Sequence, residues 1–122
     1  MRGAEKEEME CVFCEIANGG VPADIVYQDE KIVAFRDLNP QAPVHVLIIP
    51  ARHIDSLDGI DGSAEQKELL GHLLSKVHEI AALLGLENGY RLVTNCGEDG
   101  LQTVEHLHFH LLGRRQMGWP PG

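Results

Sequence analysis

The chain lacks any hydrophobic run long enough to cross a membrane: no stretch approaches the ~18 apolar residues that a span requires. It also lacks an apolar leader. Met1 to Glu10 is charged, with no hydrophobic centre and no cleavage signal. Residues 1–10 are therefore expected to form a flexible tail, and the protein to be cytoplasmic. Positive charge is scarce. Ten Lys and Arg stand against 19 Asp and Glu, and the net charge of −9 argues against a nucleic-acid polymer as partner, because that binding relies on clustered basic side chains. The same balance leaves room for a single nucleotide, since backbone N–H groups and histidines hold one or two phosphates without a basic surface. Cysteine is too sparse for a disulfide scaffold: there are three, an odd number. No internal repeat, low-complexity tract or strand–helix alternation of the parallel-sheet kind is present.

What is there suffices for one domain. A chain of 122 residues, 43% of them hydrophobic, buries about two thirds of its unfolded surface without a covalent staple. Val12, Phe13 and Ile16 fit one face of a short helix that Asn18-Gly19-Gly20 ends. Ile25–Gln28 and Ile32–Asp37 read as a hairpin, and Val44–Ile49 as a nearly continuous apolar strand that Pro50 stops. Ser63 offers an N-cap, with Gln66 three residues on to complete a capping box. From there Leu69, Leu70, Leu73, Leu74, Val77, Ile80, Ala81 and Leu84 follow the helical period until Gly85. Tyr90–Asn95 reads as a fourth strand and residues 104–112 as a fifth. The order predicts an α+β fold: a five-stranded antiparallel sheet with one long helix and one short N-terminal helix.

The chemistry concentrates in the fifth strand. His106, His108 and His110 stand two residues apart with Leu107, Phe109 and Leu111 interleaved. In an extended strand that spacing puts the three rings on one face and the apolar side chains on the other. One histidine on a wet strand face is ordinary; three in register are candidate bases, nucleophiles or ligands near neutral pH. A single metal held by all three fits poorly. The outer rings lie about 13 Å apart along the strand, against zinc–nitrogen bonds of about 2.1 Å. The central His108 is the natural nucleophile, and a phosphorus centre suits an imidazole whose other nitrogen is fixed by a hydrogen bond. Cys11-Val12-Phe13-Cys14 is open to three readings: a redox pair, half of a zinc site, or two buried thiols.

The run His106-Leu107-His108-Phe109-His110-Leu111-Leu112 matches the signature of the histidine triad family. Asp37-Leu38-Asn39-Pro40-Gln41-Ala42-Pro43-Val44-His45, then Gly89-Tyr90-Arg91, Asn95 and the tail from Gly113 to Gly122 resemble its Hint branch. The resemblance spans residues 11–122. It departs at Arg114, where the family has a second glycine, and at Thr103, where a serine is usual.

The resemblance implies a nucleoside phosphoramidase or nucleotide hydrolase that cleaves the P–N bond of purine nucleoside 5′-phosphoramidates. His108 would attack the α-phosphorus to give a nucleotidyl-histidine, His110 would contact the phosphate, and His45 and His106 would complete the histidine cluster. Asp37 would accept from the ribose hydroxyls. Phe13, Val21, Phe35 and Leu38 would line the base pocket, and Asn95, Leu101, Gln102 and Thr103 would meet the phosphate side. Family members with this CxxC bind zinc through the counterparts of Cys11, Cys14, His53 and His106, so a structural zinc and no organic cofactor are expected. Residues 113–122 would form a dimer and specificity tail, with Trp119 bordering the partner's pocket in a homodimer. Rival readings are a dinucleoside polyphosphate hydrolase and a nucleotide-binding adaptor with little catalysis.

Overall fold

Val44–Pro50 (β3) is the central strand of a five-stranded antiparallel sheet in the computed structural model, which describes residues 11–122. The expected tail at residues 1–10 lies outside the described residues. Ile25–Gln28 (β1) and Ile32–Arg36 (β2) form the expected hairpin, followed by β3; Tyr90–Thr94 (β4) and Phe109–Gly113 (β5) complete the order β1-β2-β3-β5-β4. Every residue of β3 is buried. The reason is that both faces of the sheet are covered there, which is why its sequence shows an apolar run rather than alternation.

One face packs on the long helix Ala64–Leu83 (α2). Val44, Val46 and Ile48 of β3 meet Leu69, Leu73, Val77, Ile80 and Ala81 of α2 in a single cluster. Each fully buried Leu, Ile or Val in it contributes about 1.5–3 kcal/mol. The helix starts at Ser63, whose Oγ accepts from Gln66 N at 3.2 Å. The capping box is only half made: Gln66 Oε1 accepts from Asp61 N at 2.8 Å, and the Ser63 N–H is taken by Asp61 Oδ1 at 2.9 Å. The helix ends in a Schellman motif. Leu86 N donates to Ala81 O and Gly85 N to Ala82 O, with Gly85 at φ +72°, a conformation that glycine adopts without strain.

The opposite face packs on the short helix Val12–Ala17 (α1). Phe13, Cys14 and Ile16 join Val33 and Phe35 of β2 and Leu47 and Ile49 of β3. Val12, expected on this inner face, is instead 46% exposed. Cys11 is the N-cap and its Sγ accepts from Cys14 N at 3.2 Å, an arrangement that turns Cys14 inward in Val12's place. Among the described residues no helix is long and apolar enough to cross a membrane.

β5 is shorter than the expected 104–112. Its ladders to β3 and β4 both end at Phe109. Upstream of it, Leu107 N donates to Ile54 O at 2.6 Å and His108 O accepts from Thr94 Oγ1 at 2.8 Å. The side-chain alternation nonetheless continues: Leu107, Phe109 and Leu111 all lie in the cluster under α2. His106 and His108 thus precede the strand and only His110 stands on it.

Candidate active site and metal centre

Register builds the site. Leu47 lies opposite Phe35 on one side and His110 on the other, so the face under α1 carries Phe35, Leu47 and His110 in a row across three strands. His45 is two residues before Leu47 on the same face, within diagonal reach of His110. The His108 and His110 rings are 5.1 Å apart, and the His45 and His110 rings 5.2 Å. Phe13 of α1 closes the row from above, 5.5 Å from the Phe35 ring and 5.2 Å from the His108 ring, edge to face in both cases.

A cleft of about 330 Å³ opens at this row. Phe13, Val21, Phe35, Asp37, Leu38, Thr103, His108 and His110, all candidates from the family resemblance, line it. Ile16, Leu47 and Val104 line it too and went unrecognised; Leu47 was readable from its two-residue offset from His45. Asn95, Leu101 and Gln102 do not line it. Asn95 Nδ2 donates to Gly100 O at 2.6 Å, and Gln102 Nε2 to Asp55 O at 2.7 Å and Val104 O at 3.0 Å. These bonds shape the loop that delivers Thr103 and Val104 to the cleft, while Leu101 is 75% exposed. Trp119 is exposed, and Arg91 Nη2 ties the neighbouring Gly118 carbonyl to β4 at 2.8 Å.

The acceptors around the rings determine which nitrogen carries the proton. His108 Nδ1 is 2.7 Å from His106 O. A carbonyl only accepts, so Nδ1 is the protonated nitrogen and the neutral ring keeps a lone pair at Nε2. His106 Nε2 is 2.9 Å from Pro50 O, which leaves the His106 Nδ1 lone pair 3.2 Å from Cys11 Sγ and 3.5 Å from Cys14 Sγ. His53 repeats the pattern: Nε2 is 2.7 Å from Asp55 Oδ1, and Nδ1 is 3.2 Å from Cys14 Sγ. Pro50 and Asp55 were not anticipated as supports for these rings. Burial, above all, pushes His106 down to about 4, so its ring is neutral at physiological pH. His110 is likewise pushed down to about 4, first by burial and then by His108 and His45; burial lowers His45 as well.

Two groups of side chains have the proximity of metal ligands, and only one has the proton pattern. Cys11, Cys14, His53 and His106 bring two sulfurs and two imidazole nitrogens within 4.8 Å of one another. Bonds of about 2.3 Å to sulfur and 2.0–2.1 Å to nitrogen in a tetrahedron need ligand atoms roughly 3.3–3.8 Å apart, and both rings already aim lone pairs inward. Asp37, His45 and His110 are equally close. There, Gln41 N donates to His45 Nδ1 at 3.0 Å, which places the neutral ring's proton on the nitrogen facing His110. That trio is a hydrogen-bonded chain, not a ligand set.

A sheet face that carries a histidine row beside a two-cysteine, two-histidine cluster defines a histidine-triad domain. The HIT domain model matches residues 18–117, and the chain belongs to the HIT family. It is 54% identical over 111 residues to a HIT-like protein of Synechococcus elongatus, covering 91% of this chain and 96% of that one. It is 51% identical over 112 residues to the 14 kDa zinc-binding protein of Zea mays, covering 91% and 87% respectively. A crystal structure of a HIT family hydrolase from Legionella pneumophila superposes with a TM-score of 0.87 at 50% identity, covering 92% of this chain and 99% of that one.

Proposed function

We infer that this protein is a hydrolase that cleaves the P–N bond of purine nucleoside 5′-phosphoramidates through a nucleotidyl-histidine on His108. The observation that carries this reading is the His108 ring, with Nδ1 committed to the His106 carbonyl and Nε2 left as a lone pair in a cleft lined by Phe13, Phe35 and Asp37. The Legionella relative's description as a hydrolase supports the reaction class. His108 Nε2 attacks the α-phosphorus, the P–N bond breaks, and the amine leaves with a proton taken from solvent. Water then cleaves the P–N bond of the nucleotidyl-histidine and releases the nucleoside monophosphate. His110 holds a phosphoryl oxygen, Asp37 accepts from the ribose, and the apolar walls take the base. Asn95 and Gln102 act by shaping the loop that ends at Thr103.

Cys11, Cys14, His53 and His106 hold a zinc ion, a reading supported by their lone-pair pattern and by the zinc-binding maize relative. The metal's chemistry would be structural: it would fix α1 to His106, two residues before the nucleophile. The chain works as a cytoplasmic homodimer in which Trp119 borders the neighbouring cleft.

The decisive experiment incubates the protein with adenosine 5′-phosphoramidate, follows AMP release and looks for a nucleotidyl adduct by intact mass. Turnover with an adduct on His108, both lost in His108→Ala, is expected. Retention of most of the rate in His108→Ala removes the proposed nucleophile, and faster cleavage of a dinucleoside polyphosphate moves the substrate class. Light scattering is expected to give twice the 13.5 kDa chain mass.

A further inference from the structure

A line of hydrogen bonds runs from the segment after β5 into the centre of the site. Arg115 Nε donates to Gln41 O at 3.0 Å. The N–H of the same Gln41 donates to His45 Nδ1 at 3.0 Å. His45 Nε2 is 2.9 Å from His110 Nδ1, with Asp37 Oδ2 farther off at 3.4 Å.

Each link runs in one direction only. A backbone N–H donates and never accepts, so His45 Nδ1 holds a lone pair. The neutral His45 ring then carries its proton on Nε2, aimed at His110 Nδ1. His110 Nδ1 must accept, and the neutral His110 ring carries its proton on Nε2. His108, two residues away, is held in the opposite state by the His106 carbonyl. Neighbouring rings 5.1 Å apart are therefore set to opposite tautomers: a lone pair at His108 Nε2 for attack, and an N–H at His110 Nε2.

We propose that Arg115 and the Gln41 backbone are positioning groups that clamp the 38–43 turn onto His45, fix its tautomer, and thereby make His110 Nε2 a hydrogen-bond donor to a phosphoryl oxygen in the cleft. The need is physical. If His45 Nδ1 took the proton, it would meet the Gln41 N–H head on, and His110 would be free to turn a lone pair toward an anionic oxygen. For His45 and His110 the clamp comes from outside the histidine row: the carbonyl within it, at His106, fixes only His108, and Asp37 Oδ2 at 3.4 Å is a longer contact to His45 Nε2 than the Gln41 N–H is to Nδ1. This inference deepens the phosphoramidase reading and rests on it for the identity of the bound group. The tautomers themselves do not depend on it.

Long-range proton–nitrogen NMR spectra of the protein as purified, at neutral pH, report which ring nitrogen is protonated. Wild type is expected to show Nε2–H at His45 and His110 and Nδ1–H at His108. Arg115 is exposed, so Arg115→Ala tests the clamp without opening the core. In that variant His45 and His110 are expected to show mixed tautomers. On adenosine 5′-phosphoramidate kcat should fall about three- to tenfold, the worth of one hydrogen bond, with KM within about twofold. Arg115→Lys, which keeps a donor, should recover most of both. Nδ1–H at His45 or His110 in wild type overturns the proposal, as does an Arg115→Ala protein with unchanged tautomers. If no phosphoramidate is turned over, the spectra alone decide the clamp, and it is the substrate reading that fails.

Discussion

His108 Nδ1 lies 2.7 Å from the carbonyl oxygen of His106, the residue whose own Nδ1 faces the thiols of Cys11 and Cys14. One peptide unit thus serves two sites. Its side chain belongs to the cysteine–histidine cluster, and its carbonyl fixes the tautomer of the proposed nucleophile. Phe13 makes a second link: it sits between the two cysteines in sequence and packs on both the His106 and His108 rings, at 5.9 and 5.2 Å. Order in the cluster is therefore order in the nucleophile.

Loss of the proposed zinc is the first consequence to test. Freshly purified protein is expected to contain one equivalent of zinc, and Cys14→Ser to contain less than about a tenth. With one ligand gone, α1 loses its tie to His53 and His106, and the thermal midpoint should fall by on the order of 10 °C. Metal analysis and calorimetry on the same sample check both. Wild-type protein with reduced cysteines and no zinc would end the metal reading.

Phe13→Ala should act on stability and on the cleft together. The ring is buried against Phe35, His106 and His108, so truncation leaves a cavity and costs about 3–5 kcal/mol. It also removes one wall of the cleft proposed to take the base, so AMP should bind at least about tenfold more weakly. Urea unfolding and calorimetric titration separate the two effects. Unchanged AMP affinity would show that Phe13 is plain core.

The strands along the chain and the long helix were legible because their signals are local. Val44–Pro50 is an apolar run, and the leucine period between Ser63 and Gly85 carries its own caps. The histidine row was legible as a pattern but not as a strand. Alternation survives from Leu107 to Leu111, whereas the ladder gives way before Phe109 to bonds with a hydroxyl at Thr94 and a carbonyl at Ile54, both distant in sequence. The parts least readable were backbone groups. The carbonyls of Pro50 and His106 and the N–H of Gln41 set the ring tautomers, and no residue-type pattern announces a backbone donor or acceptor. The capping box misled for a related reason: Asp61, just upstream, competes for the same N–H.

Acid should weaken the fold through the buried histidines. His110, and His106 in the metal-free protein, are pushed down to about 4 from an unfolded value near 6.5. Between those values the unfolded chain binds protons that the folded chain refuses, so stability rises with pH and is lost on acidification from about 6.5 toward 4. The slope approaches 1.4 kcal/mol per pH unit for each ring at most, with partial exposure of His110 reducing its share. Urea midpoints measured from pH 7 to pH 4.5 should fall steadily, and His110→Gln should flatten part of the decline. A midpoint constant over that range would contradict the burial assigned to these rings.

A carboxylate on the other side of the molecule predicts a second window, at lower pH. Asp29 lies in the turn between β1 and β2. Burial pushes its carboxyl up, but His72 Nε2 at 2.7 Å, the N–H groups of Lys31 and Ile32 at 2.8 and 2.9 Å, and the Tyr27 hydroxyl at 2.8 Å together outweigh it and hold the group down at about 2. His72 belongs to α2, so this one side chain ties the hairpin to the long helix. A depressed carboxylate adds stability that is complete above its unfolded value near 3.8 and is lost as pH falls toward about 2. Asp29→Asn keeps one acceptor oxygen but replaces Oδ2, which takes both the His72 and Tyr27 bonds, or forces a choice between the two sides. It should cost about 1–3 kcal/mol at pH 7. It should also remove the loss of stability between pH 4 and pH 2 that belongs to this group, while leaving the histidine decline above pH 4 intact. Urea unfolding of both proteins across the two windows checks the assignment. A variant within about 0.5 kcal/mol of wild type would mean that the turn is held by its backbone alone.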